Sequence, residues 1–420
     1  MHKPIAMKQL IYAGLLSLLF ASCKDSQQKK QASNTTPADT IKTSAQQIDL
    51  PEPYATKSVR NQSKVIGWPA DKMPVAPAGF TVTKFADSLN NPRWIYVADN
   101  GDVFVSEANK EKSANRITLF KNGDPTKRSV FATGLNMPFG MYRHGNRFYV
   151  ANTDALIYFD VPETATTVTG GGKKLLSLPA GPRHWTRNII GNADGSKIYI
   201  AVGSSSNVAE DGLGKESWRA CIIEINADGS GERIYASGLR NPVGMAWAPG
   251  TSTLWTAVNE RDELGDELVP DYLTSVKDGG FYGWPYSYFG NHLDPRLKDS
   301  ADAASFAAKA IVPEFSLGAH TASLGLVFYK GNFPEKYSNG AFIGQHGSWN
   351  RSTLSGYKVV FVPFKDGKPS GPAEDFLTGF IADEGKSEVY GRPVGVAVLK
   401  DGSLLVADDA GNRIWRISKQ

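Results

Sequence analysis

Two separate turns of this sequence carry the residues best suited to chemistry. His184 lies in the stretch PRHWTRN, just before a predicted strand at Ile189 and Ile190. The pKa of a histidine is close to neutrality, so His184 is suited to take a proton from a hydroxyl group. Arg240 and Asn241 follow a Gly-Leu turn, and the planar guanidinium of Arg240 can polarise a carbonyl or hold a carboxylate. The two turns predict proton transfer beside an anionic or carbonyl-bearing ligand.

An acidic loop and an aromatic turn follow Arg240 along the chain. The loop at 259–267 reads NERDELGDE, and its carboxylates and backbone carbonyls are the oxygen ligands that Ca²⁺ prefers. The turn YGWP places Tyr282 and Trp284 where they could form a wall against a planar ring. His320 and His346 begin other repeated units and are further candidates for a base.

A repeated hairpin predicts the scaffold that positions these turns. The unit consists of a Pro, a small apolar strand, an Asp-Gly or Gly-Asn turn and a second apolar strand. It begins near residues 91, 137, 183, 241, 323 and 392. Six units of this kind predict an all-β, six-bladed β-propeller. The strand at 80–85 precedes the first unit and could close the ring by joining the last blade. The long connection at 269–321 is predicted to hold one short helix, around 301–310. A pair of β-sandwiches is the alternative.

Composition limits the classes of function. The chain has 420 residues and two cysteines, Cys23 and Cys221, which exclude a disulfide framework, a thiolate zinc finger and a CxxCH haem site. The net charge of +4 includes a Lys-rich N-terminal region, so it predicts no nucleic-acid partner.

The N-terminus is typical of a bacterial lipoprotein precursor. Lys3 and Lys8 precede an apolar run at 10–21 that ends Phe-Ala-Ser-Cys, a basic start and short apolar core that indicate a signal peptide. We therefore predict a signal peptide at 1–22, a lipidated Cys23 and a periplasmic or outer-membrane location, with the membrane contacted only through the lipid. A plain secretory peptide is the alternative. The polar stretch at 23–75 predicts a flexible tether, and 76–420 the folded domain.

The motifs LRNPVGMAW, GDEL and YGWP resemble those of soluble quinoprotein sugar dehydrogenases, most closely the sorbosone-dehydrogenase-like branch. The resemblance extends from about residue 77 to 417. It implies oxidation of an aldose or a sugar-derived aldehyde by hydride transfer to pyrroloquinoline quinone (PQQ), with His184 as general base. Arg240 and Ca²⁺ would stabilise the negative charge that develops. Electrons would pass to an external acceptor such as a cytochrome c or a quinone, because the chain has no haem site.

The resemblance also implies a set of ligands. The residues implied to hold the cofactor are Arg240, Asn241, Arg351, Arg392, Tyr282 and Trp284. The calcium set would comprise the carbonyls of Arg261 and Asp262, with Asp266 and Glu267 in support. Two departures are notable: Tyr390 stands where the family often has an arginine, and charged residues occupy both carbonyl positions. A non-catalytic propeller that binds a glycan or protein and a calcium-dependent propeller lactonase remain alternatives.

Overall fold

The computed structural model describes residues 37–420 apart from Lys112 and Pro182. The predicted signal peptide and Cys23 therefore lie outside the described residues. β-Strands dominate the described part, which has one short α-helix, α1 (Ala303–Ala307), inside the stretch predicted to be helical. It also has 3₁₀ turns at Lys121–Gly123, Leu213–Glu216 and Glu335–Tyr337. The predicted all-β class is confirmed. No helix within the described part is long and apolar enough to cross a membrane.

The strands succeed one another at short intervals, as the repeated hairpins predict. Those up to residue 177 are β1 (Pro37–Lys42), β2 (Gln47–Pro51), β3 (Lys64–Val65), β4 (Phe80–Ala86), β5 (Pro92–Val97), β6 (Val103–Glu107), β7 (Arg116–Phe120), β8 (Arg128–Ala132), β9 (Met141–His144), β10 (Arg147–Ala151), β11 (Ala155–Asp160) and β12 (Lys173–Ser177). Those up to residue 319 are β13 (Arg187–Gly191), β14 (Lys197–Val202), β15 (Cys221–Asn226), β16 (Arg233–Ser237), β17 (Pro242–Trp247), β18 (Leu254–Val258), β19 (Pro270–Ser275), β20 (Gly280–Phe281), β21 (Ser287–Tyr288), β22 (His292–Leu293) and β23 (Phe315–Ala319). The remainder are β24 (Ser323–Phe328), β25 (Gly340–Gln345), β26 (Lys358–Lys365), β27 (Lys368–Pro369), β28 (Glu374–Leu377), β29 (Ile381–Asp383), β30 (Glu388–Val389), β31 (Pro393–Val398), β32 (Leu404–Asp408) and β33 (Arg413–Lys419).

The larger sheets are mostly built from consecutive antiparallel strands. β5–β8 form one sheet, β9–β12 the next, and β13–β16 a third that β20 extends. β17–β19 pair with β23, and β24–β28 form a further sheet. The last sheet joins β31–β33 to β4. The prediction that the strand at 80–85 pairs with the end of the chain is therefore confirmed, and the pairing covers an otherwise open sheet edge.

Glycines let the first strands of neighbouring sheets approach each other closely. β5, β9, β13, β17, β24 and β31 each contact the next in this series, and β31 contacts β5. A Cβ atom on Gly325 would lie 2.1 Å from the Val394 carbonyl oxygen, and one on Gly395 2.6 Å from that of Arg93. Only glycine fits so close an approach of two backbones. Glycines thus permit the close approach at several of these contacts, and the turns that precede these strands come near one another.

Residues 37–75 are not the flexible tether that their composition predicts. β1 and β2 form a hairpin, and Ile48 and Leu50 are buried in an apolar cluster with residues of β17–β19. β3 pairs with β30, and the buried Trp68 donates a hydrogen bond to Asp408 at 2.6 Å. A few apolar anchors and backbone pairing to distant strands are sufficient to order this polar stretch, so the expectation is corrected for these residues.

Candidate active site

A cavity of about 420 Å³ lies beside the turns that precede β13 and β17. Its size falls within the range of about 300–1,000 Å³ that small-molecule sites occupy. The sequence-predicted residues His184, Arg240 and Asp262 line it, as does Trp349. The other lining residues were not predicted as site residues: Arg60, Lys110, Arg183, Asn207, Glu210 and Glu263. The structure thus brings the candidate base and the buried cation to one cavity.

His184 is held in one orientation and in one tautomer. Its Nδ1 lies 2.8 Å from the carbonyl oxygen of Ser204 and 3.0 Å from the hydroxyl oxygen. The Ser204 hydroxyl donates its own hydrogen to Ser206 at 2.6 Å, so Nδ1 must carry the proton and donate it. Nε2 is then the unprotonated nitrogen, and it makes no hydrogen bond to the described residues. Burial, and next the charge of Arg240, lower the pKa of His184 well below 6.5. At neutral pH the imidazole is therefore a neutral acceptor at the cavity wall.

Two buried arginines fix the backbone on either side of that ring. Arg187 donates to the His184 carbonyl at 2.7 Å and to the Pro179 carbonyl at 2.6 Å. Arg219 donates to the Gly203 carbonyl at 2.9 Å and to the same Pro179 oxygen at 3.0 Å. Neither guanidinium pairs with a carboxylate of the described chain, and burial lowers the pKa of Arg187 to about 9. These two cations join the segment that carries His184 to the one that carries its acceptor, Ser204. Arg187 belongs to the motif PRHWTR that contains His184, whereas Arg219 lies in no motif of the sequence that indicated a site.

All five N–H donors of Arg240 are already used within the chain. They reach the carbonyl and side-chain oxygens of Asn207 at 3.1 and 2.9 Å, and the carbonyls of Asn259 and Glu260 at 3.3 and 2.6 Å. The fifth contact is with the Asp262 carboxylate at 3.3 Å. Arg240 therefore organises the loops around the cavity. For it to donate to a bound carbonyl, as predicted, one of the two 3.3 Å contacts must exchange partners.

Asn241 is buried and has an unused acceptor. Its Oδ1 is buried and has no hydrogen-bond partner among the described residues. A Cβ atom on Gly203 would come within 2.3 Å of that oxygen, so glycine at 203 makes room for it. The structure does not place Asn241 on the cavity wall.

The predicted aromatic wall is only partly at the cavity. Trp284 is buried and donates to the Asn207 carbonyl at 3.0 Å, the same oxygen that accepts from Arg240. Tyr282 is a core residue whose hydroxyl donates to the Ser275 carbonyl at 2.6 Å. Neither side chain lines the cavity. Trp349 does, and the guanidinium carbon of Arg60 lies 5.4 Å from its ring centroid.

Arg351 and Arg392 are also away from the cavity wall. Arg351 pairs with Glu267 and donates to the Asp266 carbonyl at 2.7 Å. Arg392 donates to the carbonyls of His346 and Gly347, both at 2.9 Å. Both arginines brace the loop at 346–352 through contacts inside the chain, and their predicted contact with a cofactor stays a prediction.

The two alternative histidines have their ring nitrogens engaged differently from His184. Nδ1 of His320 lies 3.2 Å from the Asp262 carboxylate, and Nε2 lies 2.8 Å from the Gly265 carbonyl. Burial acts to lower the pKa of His320, but the interactions with Asp262, the Gly265 carbonyl and Asp271 together outweigh it, so the pKa is raised. Nε2 of His346 lies 3.0 Å from both Asp409 oxygens, and burial lowers its pKa to about 4. Of the three, His184 alone lines the cavity, so it has the best geometry for a base.

Internal hydrogen bonds already occupy the oxygens predicted to bind calcium. The Asp262 carbonyl accepts from Asn207 at 3.1 Å and from Arg296 at 3.0 Å, and the Arg261 carbonyl accepts from Val269 at 3.4 Å. The Arg261 side chain is fully buried and pairs with Glu260 and Asp294.

The two carboxylates predicted to support the calcium face the loop at 346–352. Asp266 accepts from the backbone and hydroxyl of Ser352, and Glu267 pairs with Arg351. Within residues 37–420, apart from the two gaps, no group of three or more His, Cys, Asp or Glu side chains could hold a metal. The donor set as it stands does not fit a calcium ion.

Comparison with known proteins places the chain in a family. A family model described as TrAA12-like matches residues 74–272 and 288–420. The chain belongs to the TrAA12-like family. The match includes His184, Arg240, Asp262 and Trp349, but leaves out Arg60 and the turn with Tyr282 and Trp284.

Two relatives of the chain show how far the TrAA12-like similarity extends. An uncharacterized protein of Borreliella burgdorferi is 30% identical over 81% of this chain and 89% of that protein. A pyrroloquinoline quinone-dependent pyranose dehydrogenase of Coprinopsis cinerea is 25% identical over 81% of this chain. The aligned region is 54% of the Coprinopsis protein, so the chain spans about half of that relative's length.

Solved structures share the fold. The PQQ domain of the pyranose dehydrogenase from Coprinopsis cinerea, in its holo form, superposes with a TM-score of 0.68 and 22% identity over 84% of this chain and 98% of that domain. A calcium structure of a Trichoderma reesei enzyme of the carbohydrate-active family AA12 gives a TM-score of 0.70 and 19% identity over 86% and 99% of the two chains. The TrAA12-like fold is therefore common to this chain and to proteins described as quinone-dependent sugar dehydrogenases.

Proposed function

We propose that the chain is a PQQ-dependent dehydrogenase that oxidises an aldose or a sugar-derived aldehyde. The observation that carries the proposal is His184, which lines a cavity that also holds several cations and whose Nε2 is the unprotonated nitrogen. Membership of the TrAA12-like family supports it, because the Coprinopsis relative is described as a PQQ-dependent pyranose dehydrogenase. The sorbosone-like branch remains a finer prediction.

The residues at the cavity suit a planar, anionic quinone. PQQ carries three carboxylates, and the wall offers Arg60 and Lys110, neither of which pairs with a carboxylate of the described chain. Trp349 supplies an aromatic face. When bound, PQQ would supply an ortho-quinone that accepts the two electrons of the sugar. Arg60, Lys110 and Trp349 would hold it at the cavity wall.

The chain's own contribution to the reaction is positioning and proton transfer. Nε2 of His184 would accept the proton of the C1 hydroxyl, or of the aldehyde hydrate, as the sugar is oxidised. Ser204 keeps the ring in the required tautomer, and Arg187 and Arg219 keep the two backbone segments in place. Burial and the charge of Arg240 keep the imidazole neutral, and the same charge favours negative charge that develops nearby.

Several finer features belong to the same proposal. The sheets would be the six blades of a β-propeller, which is supported by the contacts of each first strand with the next and of β31 with β5. Calcium is supported by the calcium structure of the Trichoderma enzyme. Binding at the predicted carbonyls would require Arg296 and Asn207 to leave the Asp262 oxygen, so the proposed reaction assigns calcium no catalytic step. The pattern ending at Cys23 supports a lipoprotein of the periplasm or outer membrane that passes electrons to an external acceptor.

Reconstitution tests the proposal directly. The purified full chain would be stripped of cofactor, titrated with PQQ with and without Ca²⁺, and screened for sugar-dependent dye reduction over aldoses and sugar-derived aldehydes. Saturable PQQ binding together with dye reduction on at least one sugar is the expected result. Absence of PQQ binding under all conditions would reject the dehydrogenase and leave a propeller that binds a glycan or protein.

A further inference from the structure

A segment that precedes the family-matched region crosses the loops of the cavity. We call residues 52–61, between β2 and β3, the N-terminal strap. On one side it follows the acidic loop. The backbone N–H of Tyr54 donates to the Leu264 carbonyl at 2.8 Å, and the backbone N–H of Asp266 donates to the Thr56 hydroxyl at 2.7 Å. A Cβ atom on Gly265 would lie 3.0 Å from the Thr56 carbonyl oxygen. The strap therefore packs closely against this loop.

The other side of the strap is bonded to the loop at 346–352. Asn61 donates from its backbone to the Trp349 carbonyl at 2.8 Å and from its side chain to the Ser352 carbonyl at 3.0 Å. Asn350 donates to the Val59 carbonyl at 3.2 Å and accepts from the backbone of Glu263 at 2.7 Å. Asn350 thus joins the strap and both loops, so the backbone around residue 60 has a defined place beside the cavity that Arg60 lines.

The strap contributes one side chain to the cavity, that of Arg60. Its guanidinium carbon lies 5.4 Å from the ring centroid of Trp349, which also lines the cavity. Arg183 and Arg240, two other arginines of the wall, pair with Glu210 and Asp262. Arg60 pairs with no carboxylate of the described chain, including Glu263 on the same wall. Its charge and its donors are available to an anion that enters the cavity.

We propose that the N-terminal strap completes the cofactor site, with Arg60 binding a carboxylate of the quinone. The proposal rests on the proposed function. A guanidinium stacked on an aromatic ring is oriented in advance, and its planar donors match the geometry of a carboxylate. Because residues 52–61 precede the matched range at 74–272, the family motifs alone do not contain this part of the site.

Equilibrium binding of PQQ to the cofactor-free full chain tests the strap without any measurement of turnover. Quenching of tryptophan fluorescence reports the titration, since Trp349 lines the cavity. Arg60→Gln should raise the Kd for PQQ about tenfold, the factor that about 1.4 kcal/mol produces and a modest effect for a hydrogen bond to a charged group. Arg60→Lys should recover part of the affinity, because it keeps the charge but loses the planar fork.

The matched control is Arg128→Gln. Arg128 is likewise exposed and stacked on an aromatic ring, 6.0 Å from the centroid of Phe120, but it does not line the cavity. This control should leave the Kd unchanged. In about 1 M salt, where the screening length falls to about 3 Å, the parent and Arg60→Gln should converge in affinity.

The outcomes separate the strap from the proposed function. Equal PQQ affinity of the parent and Arg60→Gln would overturn the role of the strap, whether or not the KM for a sugar changes, and would leave the dehydrogenase intact. An affinity loss accompanied by a lower melting temperature of the cofactor-free Arg60→Gln protein, with Arg60→Lys equally impaired, would assign Arg60 to folding and also overturn it. A parent chain that binds no PQQ would reject both proposals.

Discussion

Replacement of His184 is the strongest test of the proposed chemistry. A positioned general base contributes about 10²- to 10⁴-fold to a rate, and at about 1.36 kcal/mol per tenfold this is about 2.7–5.5 kcal/mol of the barrier. Nδ1 is fixed by Ser204 at 2.8 Å and the backbone by Arg187 at 2.7 Å. Because the ring needs no reorganisation to act, we expect a loss in the upper part of that range.

The backbone at this position decides which variant to use. His184 has a φ of 42°, in the left-handed region. Alanine there would add backbone strain of about 1–2 kcal/mol, whereas asparagine visits this region more readily. His184→Asn therefore removes the base with the smallest disturbance of the turn, and His184→Ala serves as a second variant. His144→Asn is the control, since His144 is an exposed histidine at the end of β9.

The assay is sugar-dependent dye reduction at saturating PQQ, with PQQ affinity measured in parallel. His184→Asn should bind PQQ nearly as the parent does and lose about 10³-fold or more in rate, with partial rescue by added imidazole. A rate within about threefold of the parent, with PQQ bound, would place the base elsewhere and refute the reasoning.

The pH dependence of the parent gives an independent check. His184 must be neutral to accept a proton, and burial together with Arg240 lowers its pKa below 6.5. Activity should therefore persist as pH falls through 6.5 and be lost only on the acid side of it. An acid limb centred above pH 6.5 would contradict the assignment.

The remaining predictions concern Arg240, calcium, Arg219 and the N-terminus. Arg240→Ala should weaken PQQ binding and slow dye reduction. Arg240→Lys should restore only part of the affinity and rate, because a lysine cannot replace five donors in a fixed fork. Full restoration by lysine would contradict this. Calcium must displace Asn207 and Arg296 from the Asp262 carbonyl to bind this loop, and Asp266→Ala with Glu267→Ala should then lower the affinity for calcium by roughly ten- to hundredfold. Equal PQQ affinity with and without chelator would exclude calcium. Arg219→Gln removes a nearby positive charge, which should raise the pKa of His184 and move the acid limb of the pH–rate profile upward, and an unmoved limb would show that Arg219 does not act on the ring. Mass spectrometry of the N-terminal peptide from native membranes should find a diacyl or triacyl mass on Cys23, and an unmodified N-terminus elsewhere would refute the lipid anchor.

Local sequence patterns predicted the scaffold well because most of its sheets are hairpins between strands that follow one another in the chain. Alternation of apolar residues around Asp-Gly turns marks hairpins, and Gly244, Gly325 and Gly395 are required by close backbone contacts with the neighbouring sheet. The pairing of β4 with β33 could also be anticipated, since an unpaired strand at one end and an open edge at the other complement each other. His184 and Arg240 lie in the turns before β13 and β17. Because these two strands contact each other, both residues line one cavity.

The strap could not be predicted, because its order depends on contacts between residues far apart in the chain. Asn61 bonds to the loop that carries Trp349, nearly 300 positions later, and nothing in the composition of 52–61 indicates this. Polar side chains that satisfy distant backbone groups have the same composition as polar side chains in solution. Arg60 could therefore not be recognised as a site residue, although it lines the cavity.

The acidic loop shows why a run of carboxylates is weak support for a cation site. Three arginines form ion pairs with the carboxylates of the loop and with the neighbouring Asp294. Arg240 pairs with Asp262, and Arg261 pairs with Glu260. Asp294 pairs with both Arg261 and Arg296. A buried carboxylate needs a counter-charge, and a guanidinium supplies one as well as a metal does, with donors for the neighbouring carbonyls in addition. The sequence at 259–267 would look the same for a loop neutralised by arginines and for a loop that binds a metal. The arginines that distinguish the two lie partly outside this stretch. Calcium at this loop must therefore compete with Arg296 for the Asp262 carbonyl, so the affinity for calcium would depend on where that arginine can go.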